Sequence, residues 1–433
     1  MALLRRPRAV IIAVLAATCA LAPAPALAAG AAPVGSGPPP DPRATAALTR
    51  ILDRGVRSAG SQTGAEVLDL NTGAVLYANR ARTGRLPASV QKLWTTSTVL
   101  LSFGPSARLS TRLRAVGRVS GSTFTGTLYL QGGGDPTFGT AAFDHATYGT
   151  GATVQSLVSG VRQTFGIRAV RGTIIADESR FDRLRGTPAT GYRLDPEVEG
   201  GLSALVFNRD WSDPYGSTLF AQPALEAGAQ LEIALRAAGI RVPAWTPVRT
   251  GVTPATAQTL AVARSPAMAT LVHLTNTPSD NFFAETLLKD LGAQFGAGGT
   301  TVAGAAVVRA TIARTFGLRP RFDDGSGLSR YDRSSPADIV SLLRQQAGDP
   351  AFTSSLAIAG ETGTLRHELT GTVAQGRCRG KTGTLTDASN VAGYCRAADG
   401  HTLAFAFEMN RINPDRAHPI QNAMELALVR YDG

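Results

Sequence analysis

Ser89 and Lys92 are the first residues of this chain that could do chemistry together. Positions three apart share one face of a helix, so the Ser89 hydroxyl and the Lys92 amine can come within hydrogen-bond reach. We predict a helix over residues 89–101 after Pro87, with Ser89 in its first turn, where helix N–H groups favour developing negative charge. Burial would lower the pKa of Lys92, so that its amine could take the serine proton. An N-cap serine beside a surface lysine gives the same spacing.

A second candidate is the triplet Ser279-Asp280-Asn281, where a loop enters a helix predicted over residues 281–291. The Ser279 hydroxyl could relay a proton between Lys92 and a leaving group. The Asn281 amide could hold a substrate carbonyl or orient Lys92. Ordinary helix capping by Ser279 or Asp280 is the alternative interpretation.

The third candidate is Lys381-Thr382-Gly383-Thr384, on a predicted strand. A strand beside the nucleophile could align an extended peptide by main-chain pairing. Lys381 and Thr382 could then hold a carboxylate, and Gly383 would permit close approach of the ligand backbone. The N–H groups of Thr384 and Ser89 could together form an oxyanion hole. An edge-strand lysine without function is the alternative.

The use of lysine in this chain supports these assignments. The chain contains three lysines, Lys92, Lys289 and Lys381, among its 43 basic residues, and the other 40 are arginines. Arginine meets most needs for positive charge, but it keeps its proton, whereas a lysine amine can lose one in a suitable site. Two of the three lysines lie in the motifs above. Lys289 is expected to be a solvated helix residue.

In chain order, the three motifs resemble the S-x-x-K, S-D-N and K-T-G set of serine penicillin-recognising enzymes. With the long insertion between Lys92 and Ser279, the chain is similar to the penicillin-binding protein 4 type of D-alanyl-D-alanine carboxypeptidase/endopeptidase (peptidase family S13). The resemblance covers most of residues 45–431. Other segments similar to that family are residues 132–137 (GGGDPT), 202–205 (LSAL), 324–329 (DGSGLS) and 363–366 (GTLR).

The resemblance implies a serine acyl-enzyme route on peptidoglycan stem peptides, with β-lactam antibiotics as inhibitors. Ser89, activated by Lys92, would attack the carbonyl between two D-alanines. Ser279 would help to pass the proton to the departing amine, and Asn281 would position the substrate. Lys381 with Thr382 would hold the terminal carboxylate, and water would release the acyl group.

Two other functions fit the same motifs. The first is a β-lactamase, but a class A enzyme would need a deacylating E-x-x-x-N segment, and none of the eleven glutamates has Asn four residues later. The second is a non-catalytic wall-binding or penicillin-sensing module that keeps the fold. All motif residues are present, which favours an enzyme.

The order of predicted elements indicates the fold class and its division. Helix (43–57), hairpin (66–70 and 74–77) and helix come first, and helices (267–274, 281–291, 302–316, 336–346), strands (379–385, 391–396, 402–409) and a last helix (419–431) end the chain. This order predicts an α/β (α+β) sheet with helices on both faces, and the resemblance implies a transpeptidase/β-lactamase-like type. We predict a penicillin-binding catalytic domain over residues 43–104 and 263–433. Residues 105–262, rich in short strands and Gly/Pro punctuation, would form inserted accessory domain(s).

The N-terminus has the pattern of a secretory signal peptide. Three arginines precede an apolar run over residues 9–21, and residues 26–28 (ALA) form a cleavage signature. The run is shorter than the ~20 residues of a transmembrane helix. We therefore predict a signal peptide over residues 1–28 and a flexible linker over residues 29–42. The mature protein would be exported to the cell envelope (periplasm or cell wall) or secreted, without an integral membrane anchor. An uncleaved anchor is the alternative.

Charge and cysteine content agree with export. Cleavage removes three arginines and no acid, so the net charge falls from +11 to +8. Scattered arginines and few aromatic residues argue against a nucleic-acid partner, and an anionic envelope is the expected neighbour. Cys378 and Cys395 form a pair that we predict to be a disulfide, worth about 3 kcal/mol for a loop of roughly 15–20 residues, with two free thiols as the alternative. The histidines show no metal-ligand spacing, so we predict no metal and no other cofactor.

Overall fold

The computed structural model describes residues 40–433, so the predicted signal peptide and nearly all of the predicted linker lie outside the described residues. The described chain contains two β-sheets. The strands are β1 (Thr63–Asp69), β2 (Val75–Asn79), β3 (Ser110–Ser120), β4 (Thr123–Gln131), β5 (Ala169–Asp177), β6 (Val248–Thr250), β7 (Gln258–Arg264), β8 (Ala357–Ile358), β9 (Cys378–Leu385), β10 (Ala388–Arg396) and β11 (Thr402–Asn410).

Helices flank both sheets. No helix within residues 40–433 combines the length and the apolar character that crossing a bilayer requires. The helices are α1 (Pro42–Ala59), α2 (Lys92–Phe103), α3 (Ala141–Thr147), α4 (Val154–Phe165), α5 (Pro223–Ala237), α6 (Met268–Asn276), α7 (Asn281–Phe295), α8 (Thr301–Phe316), α9 (Pro336–Gln346), α10 (Pro350–Thr353) and α11 (Pro414–Val429).

The first sheet has six antiparallel strands in the order β2-β1-β11-β10-β9-β8. Side chains alternate between its faces, as β11 illustrates. Phe405 and Phe407 pack in one core cluster with α1 and α11, whereas Ala404 and Ala406 pack in another with α2, α6, α7, α8 and α9. Helices therefore cover both faces, and the predicted fold class is confirmed.

The second sheet has five strands in the order β6-β5-β4-β3-β7, with β4, β5 and β6 parallel to one another. Its apolar side chains form a third core cluster with those of α4 and α5. The sheet spans Ser110–Arg264, close to the stretch predicted as an insertion. Three helices (α3, α4 and α5) accompany it, so this stretch is less purely strand-rich than its sequence suggests. The division into domains stays a prediction.

Two predicted helix starts are wrong. A 3₁₀ turn, Ala88–Gln91, precedes α2, so Ser89 lies in this turn and the α-helix starts at Lys92. The last helix starts at Pro414, where the side chain of Asn413 accepts a hydrogen bond from the N–H of Asp415. Pro419 lies inside that helix. The start signal was therefore the Asn-Pro pair upstream, with proline at the first helical position.

Candidate active site

The 3₁₀ turn before α2 presents Ser89 beside Lys92. The Lys92 amine donates hydrogen bonds to the Ser89 hydroxyl at 2.9 Å, to the Asn281 side-chain oxygen at 2.6 Å and to the main-chain oxygen of Ser326 at 2.8 Å. Lys92 is fully buried, and Ser89 is half-buried. The structure thus brings the first two predicted motifs together at one amine.

The electrostatic surroundings place Lys92 close to its titration point. Burial lowers the pKa of this lysine to about 8, because desolvation disfavours the ammonium form. Four carboxylates oppose this effect; in decreasing order they belong to Glu199, Asp280, Asp324 and Glu285. An amine with this pKa exists in both protonation states near neutral pH, as a residue that takes and returns a proton requires.

The loop at residues 324–329 supplies the third partner of Lys92. The carboxylate of Glu285, on α7, accepts hydrogen bonds from the N–H groups of Gly325 at 2.9 Å and Ser326 at 2.7 Å. Gly327 has φ +86°, and a Cβ there would lie 1.9 Å from the oxygen of Ala88. The loop is therefore packed tightly against the turn that carries Ser89, and glycine is required at this contact.

Asn281 is the first residue of α7, and Asp280 caps that helix by accepting a hydrogen bond from the N–H of Phe283. The Asn281 side chain reaches Lys92 as predicted. Ser279 has a left-handed φ of 70°, and within residues 40–433 its hydroxyl makes no hydrogen bond. Ser279 lies two positions before Asn281 in the sequence, and the hydrogen bonds of the Lys92 amine go to Ser89, Asn281 and Ser326 instead.

Residues 197–209, which lie between β5 and β6 in the sequence, also hold the start of α7. The N–H of Asn281 donates to the Glu199 carboxylate at 2.8 Å, and its side-chain amide donates to the main-chain oxygen of Glu197 at 2.9 Å. Arg209, with 4% of its side chain exposed, forms an ion pair with Asp280. These residues lie 71–84 positions from their partners.

The strand β9 carries the third motif beside Ser89. Lys381 is fully buried and donates to the main-chain oxygen of Thr382 at 2.8 Å. Burial, together with the charge of Lys92, lowers the pKa of Lys381 well below its ordinary value. The Thr382 hydroxyl donates to that of Thr364 at 2.7 Å.

The edge of β9 is open next to the motif. Its partner β8 pairs only with Arg379 and Gly380, so among the described residues the following part of this edge has no strand beside it. Thr384, in that part, is exposed. A Cβ added at Gly383 would lie 2.5 Å from the oxygen of Pro87 and 3.1 Å from the amide nitrogen of Ser89. The strand thus runs in direct contact with the main chain of Ser89.

A disulfide joins Cys378 and Cys395, as predicted. The two residues face each other at one end of the β9–β10 pairing, three positions before Lys381. The buried carboxylate of Glu425 lies near both sulfurs. Disulfide sulfurs are not thiolates, so this group is not assigned as a metal site.

Several residues of the site are missed by the sequence. Glu199, Glu285 and Arg209 carry no short motif, and Ser326 contributes a main-chain oxygen that any residue type would supply. The sequence marks the segment containing Ser326 only by its resemblance to the family. Lys289 is wrongly predicted: it is fully buried, and it donates to Asp182 and to the oxygen of Leu184, both at 2.7 Å.

The fold and the three motifs are those of serine penicillin-recognising enzymes. Comparison with known families makes this specific, because residues 44–192 and 213–431 match the D-Ala-D-Ala carboxypeptidase 3 (S13) family. The chain belongs to this family, and the predictions of the family and of a serine carboxypeptidase class are confirmed.

Individual relatives are similar over most of the chain. Over 463 residues it is 27% identical to the D-alanyl-D-alanine carboxypeptidase of Actinomadura sp. (strain R39), covering 86% of this chain and 82% of that protein. It is 30% identical to the carboxypeptidase DacB of Mycolicibacterium smegmatis, covering 80% and 76%. The crystal structure of penicillin binding protein 4 (dacB) from Haemophilus influenzae matches with a TM-score of 0.71 at 19% identity, over 88% of this chain and 99% of that one.

Proposed function

We propose that the protein is an exported serine D,D-peptidase of the cell envelope, a D-Ala-D-Ala carboxypeptidase and/or D,D-endopeptidase that acts on peptidoglycan stem peptides and is inhibited by β-lactams. One observation carries the proposal: a fully buried lysine with a pKa of about 8 lies 2.9 Å from the Ser89 hydroxyl, next to the open edge of β9. A nucleophile, its base and a peptide-aligning strand therefore lie side by side.

In the acylation step, the neutral Lys92 amine takes the proton of Ser89 as Oγ attacks the carbonyl carbon between the two D-alanines. The main-chain N–H groups of Ser89 and Thr384 stabilise the oxyanion. When the C–N bond breaks, the departing D-alanine amine receives a proton from the Lys92 ammonium by way of the Ser279 hydroxyl. The product is an ester between Ser89 and the remaining peptide.

Substrate alignment follows from the third motif. An extended stem peptide pairs with the open edge of β9, and Gly383 lets this strand lie directly against the main chain of Ser89. Lys381 and Thr382 hold the terminal carboxylate, and an anion there would favour the ammonium form of Lys381. Asn281 holds the substrate carbonyl and keeps Lys92 in place. Water then attacks the ester, Lys92 takes its proton, and Ser89 is regenerated.

Inhibition by β-lactams follows from the same chemistry. The lactam amide lies where the D-Ala-D-Ala bond would lie, and its opening by Ser89 leaves an acyl group without a departing amine. A labelled β-lactam therefore reports Ser89 acylation, and release of D-alanine from a D-Ala-D-Ala-terminated peptide reports turnover. We expect a long-lived adduct on Ser89 and D-alanine release. Rapid adduct turnover without peptide cleavage would indicate a β-lactamase, and a stable adduct without cleavage a penicillin sensor.

Two substitutions test the assigned roles. Ser89→Ala should abolish the adduct, whereas Ser120→Ala, at an exposed serine of β3, should leave it unchanged. Lys92→Arg should lower the acylation rate by about 10²–10⁴-fold, because a guanidinium keeps its proton. Acylation of Lys92→Arg at the wild-type rate, in protein with wild-type circular dichroism, would refute the general base.

A further inference from the structure

The segment at residues 180–210 lies along α7 and is tied to it at both ends. Two contacts hold the far end of the helix: Arg180 to Asp290 at 3.0 Å, and Asp182 to Lys289 at 2.7 Å. Near the start of the helix, Arg209 pairs with Asp280. Lys289, the lysine outside the three motifs, is therefore one of the ties between this segment and the helix that carries Asn281.

At the start of α7 the segment fixes the orientation of one amide. The Asn281 side-chain NH₂ donates to the main-chain oxygen of Glu197, and its main-chain N–H donates to the Glu199 carboxylate. If the amide were turned over, its oxygen would face the Glu197 oxygen, and its NH₂ would face the Lys92 amine. The observed orientation keeps the amide oxygen 2.6 Å from Lys92.

The main chain of Glu199 is itself held in an uncommon conformation. Its φ is 66°, in the left-handed region that non-glycine residues rarely adopt. Its carbonyl oxygen accepts hydrogen bonds from Arg209 Nε at 3.0 Å and from Trp211 Nε1 at 2.9 Å. Two donors from one neighbouring turn therefore hold the main chain of Glu199 in place.

We propose that Glu199 is a positioning residue for the reaction of Ser89: its carboxylate anchors the main chain of Asn281, whose amide oxygen lies on the Lys92 amine, and it adds one negative charge to the field at that amine. The inference rests on the proposed function. The family match is interrupted at residues 193–212, the stretch that contains Glu197, Glu199 and Arg209. Glu197, Glu199 and Arg209 therefore lie between the two stretches that match the family.

The charges around Lys92 give the sign of the effect. Among the carboxylates that raise its pKa, Glu199 is the first and largest, ahead of Asp280, Asp324 and Glu285. The cation beside Glu199 is Arg209, whose guanidinium lies 3.7 Å from the Glu199 carboxylate. Replacing Glu199 by a neutral residue lowers the pKa of Lys92, so more of the amine is neutral at a given acidic pH.

Two variants separate charge from positioning. Glu199→Gln removes the charge and keeps an oxygen that can accept from the Asn281 N–H. The rate of β-lactam acylation falls on the acid side of its pH profile as Lys92 becomes protonated, and we call this part of the profile the acid limb. In Glu199→Gln the acid limb should move to lower pH by about 0.5–1 unit. At a pH on the wild-type acid limb, acylation should then be about 3–10-fold faster than in wild type. Glu199→Ala should show the same shift and a plateau rate about 10–100-fold lower, because Asn281 loses a tie.

Glu226→Gln is the matched control, because it removes one negative charge from α5, where the carboxylate accepts a hydrogen bond from Gln230. It should change neither the limb nor the plateau. If Glu199→Gln and Glu199→Ala both follow the wild-type profile, the inference is wrong. If both lower the plateau and the thermal midpoint without moving the limb, Glu199 acts only on folding and the inference is again wrong.

An NMR titration, which does not depend on enzymatic activity, separates this inference from the proposed function. The chain has three lysines, so protein labelled with ¹³C-lysine gives three side-chain signals, and Lys92→Arg identifies the one of interest. The Lys92 signal should titrate near pH 8 in wild type and at lower pH in Glu199→Gln. An unshifted titration would refute the charge effect. Absence of wild-type acylation would instead overturn the proposed function, and the titration would still decide the role of Glu199.

Discussion

The two sides of the site are held in different ways. The sheet wall, residues 381–384 of β9, belongs to a main-chain ladder with eight paired positions to β10. The helix wall, Asp280 and Asn281 at the start of α7, is held by the side chains of Glu199 and Arg209 and by the Glu197 carbonyl. Main-chain pairing does not depend on charge, whereas ion pairs do. Substitutions that remove a charge should therefore disturb the helix wall. Substitutions that add volume should disturb the sheet wall.

The two site lysines show the same contrast. Lys92 donates to three oxygens, one of them on the helix wall, and four carboxylates influence its pKa. Lys381 donates to one main-chain oxygen, and the charge that most influences it is that of Lys92. The reactive amine is therefore tuned from the helix wall, while the amine of the sheet wall is held mainly by burial.

Arg209→Met should have the largest effect on stability. Arg209 is almost completely buried, its side chain packs on the rings of Trp211 and Phe282, and its loss leaves the Asp280 carboxylate without its cation. Breaking a buried pair by removing one partner costs about 3–5 kcal/mol, which urea unfolding would measure.

The control is Arg57→Met, in an exposed pair with Asp53 one helical turn away. A surface pair contributes about 0–1 kcal/mol, so this variant should unfold at nearly the wild-type urea concentration. Equal losses in the two variants would show that the helix wall does not depend on its ion pair.

The chain's local patterns predict much of this architecture. The bounds of α7, α8 and α9 and of β9 and β11 agree within a few residues, because apolar spacing and capping residues act over short distances. Ser89 and Lys92 are recognisable for the same reason, since three positions separate them. Glu199 and Arg209 meet α7 across more than 70 positions, and nothing local marks such a contact.

Burial explains the error at Lys289. In sequence, Glu285 and Lys289 resemble the polar face of a surface helix. In the structure α7 is surrounded by other elements, and every residue from Phe282 to Gly292 is buried. The charged groups of a helix that is enclosed on all sides must pair with other groups of the protein. The polar residues of α7 therefore form hydrogen bonds and ion pairs with neighbouring segments.

Replacing both cysteines by alanine should have the next largest effect on stability, and it probes the sheet wall. The disulfide closes a span of 17 positions, and its removal should lower the free energy of unfolding by about 3 kcal/mol. The β9–β10 ladder survives, so we expect the rate of Ser89 acylation to change by less than about 3-fold. A tenfold loss of acylation, with wild-type stability, would contradict the view that the ladder alone holds Lys381 and Gly383 in place.

Gly383→Ala should have the smallest effect on stability and a large effect on acylation. The added methyl would lie 2.5 Å from the oxygen of Pro87, 2.9 Å from the nitrogen of Val90 and 3.1 Å from that of Ser89. These are main-chain atoms, so β9 and the 3₁₀ turn must separate, at a cost of about 1–3 kcal/mol. A displacement of about 1 Å next to the nucleophile can lower the acylation rate by about 10²-fold.

Gly348→Ala is the control, because nothing lies within 4 Å of its added Cβ. The acylation rate and the stability of this variant should both stay near wild type. Wild-type acylation in Gly383→Ala would show that the sheet wall tolerates a change of shape, and the contrast between the two walls would then fail.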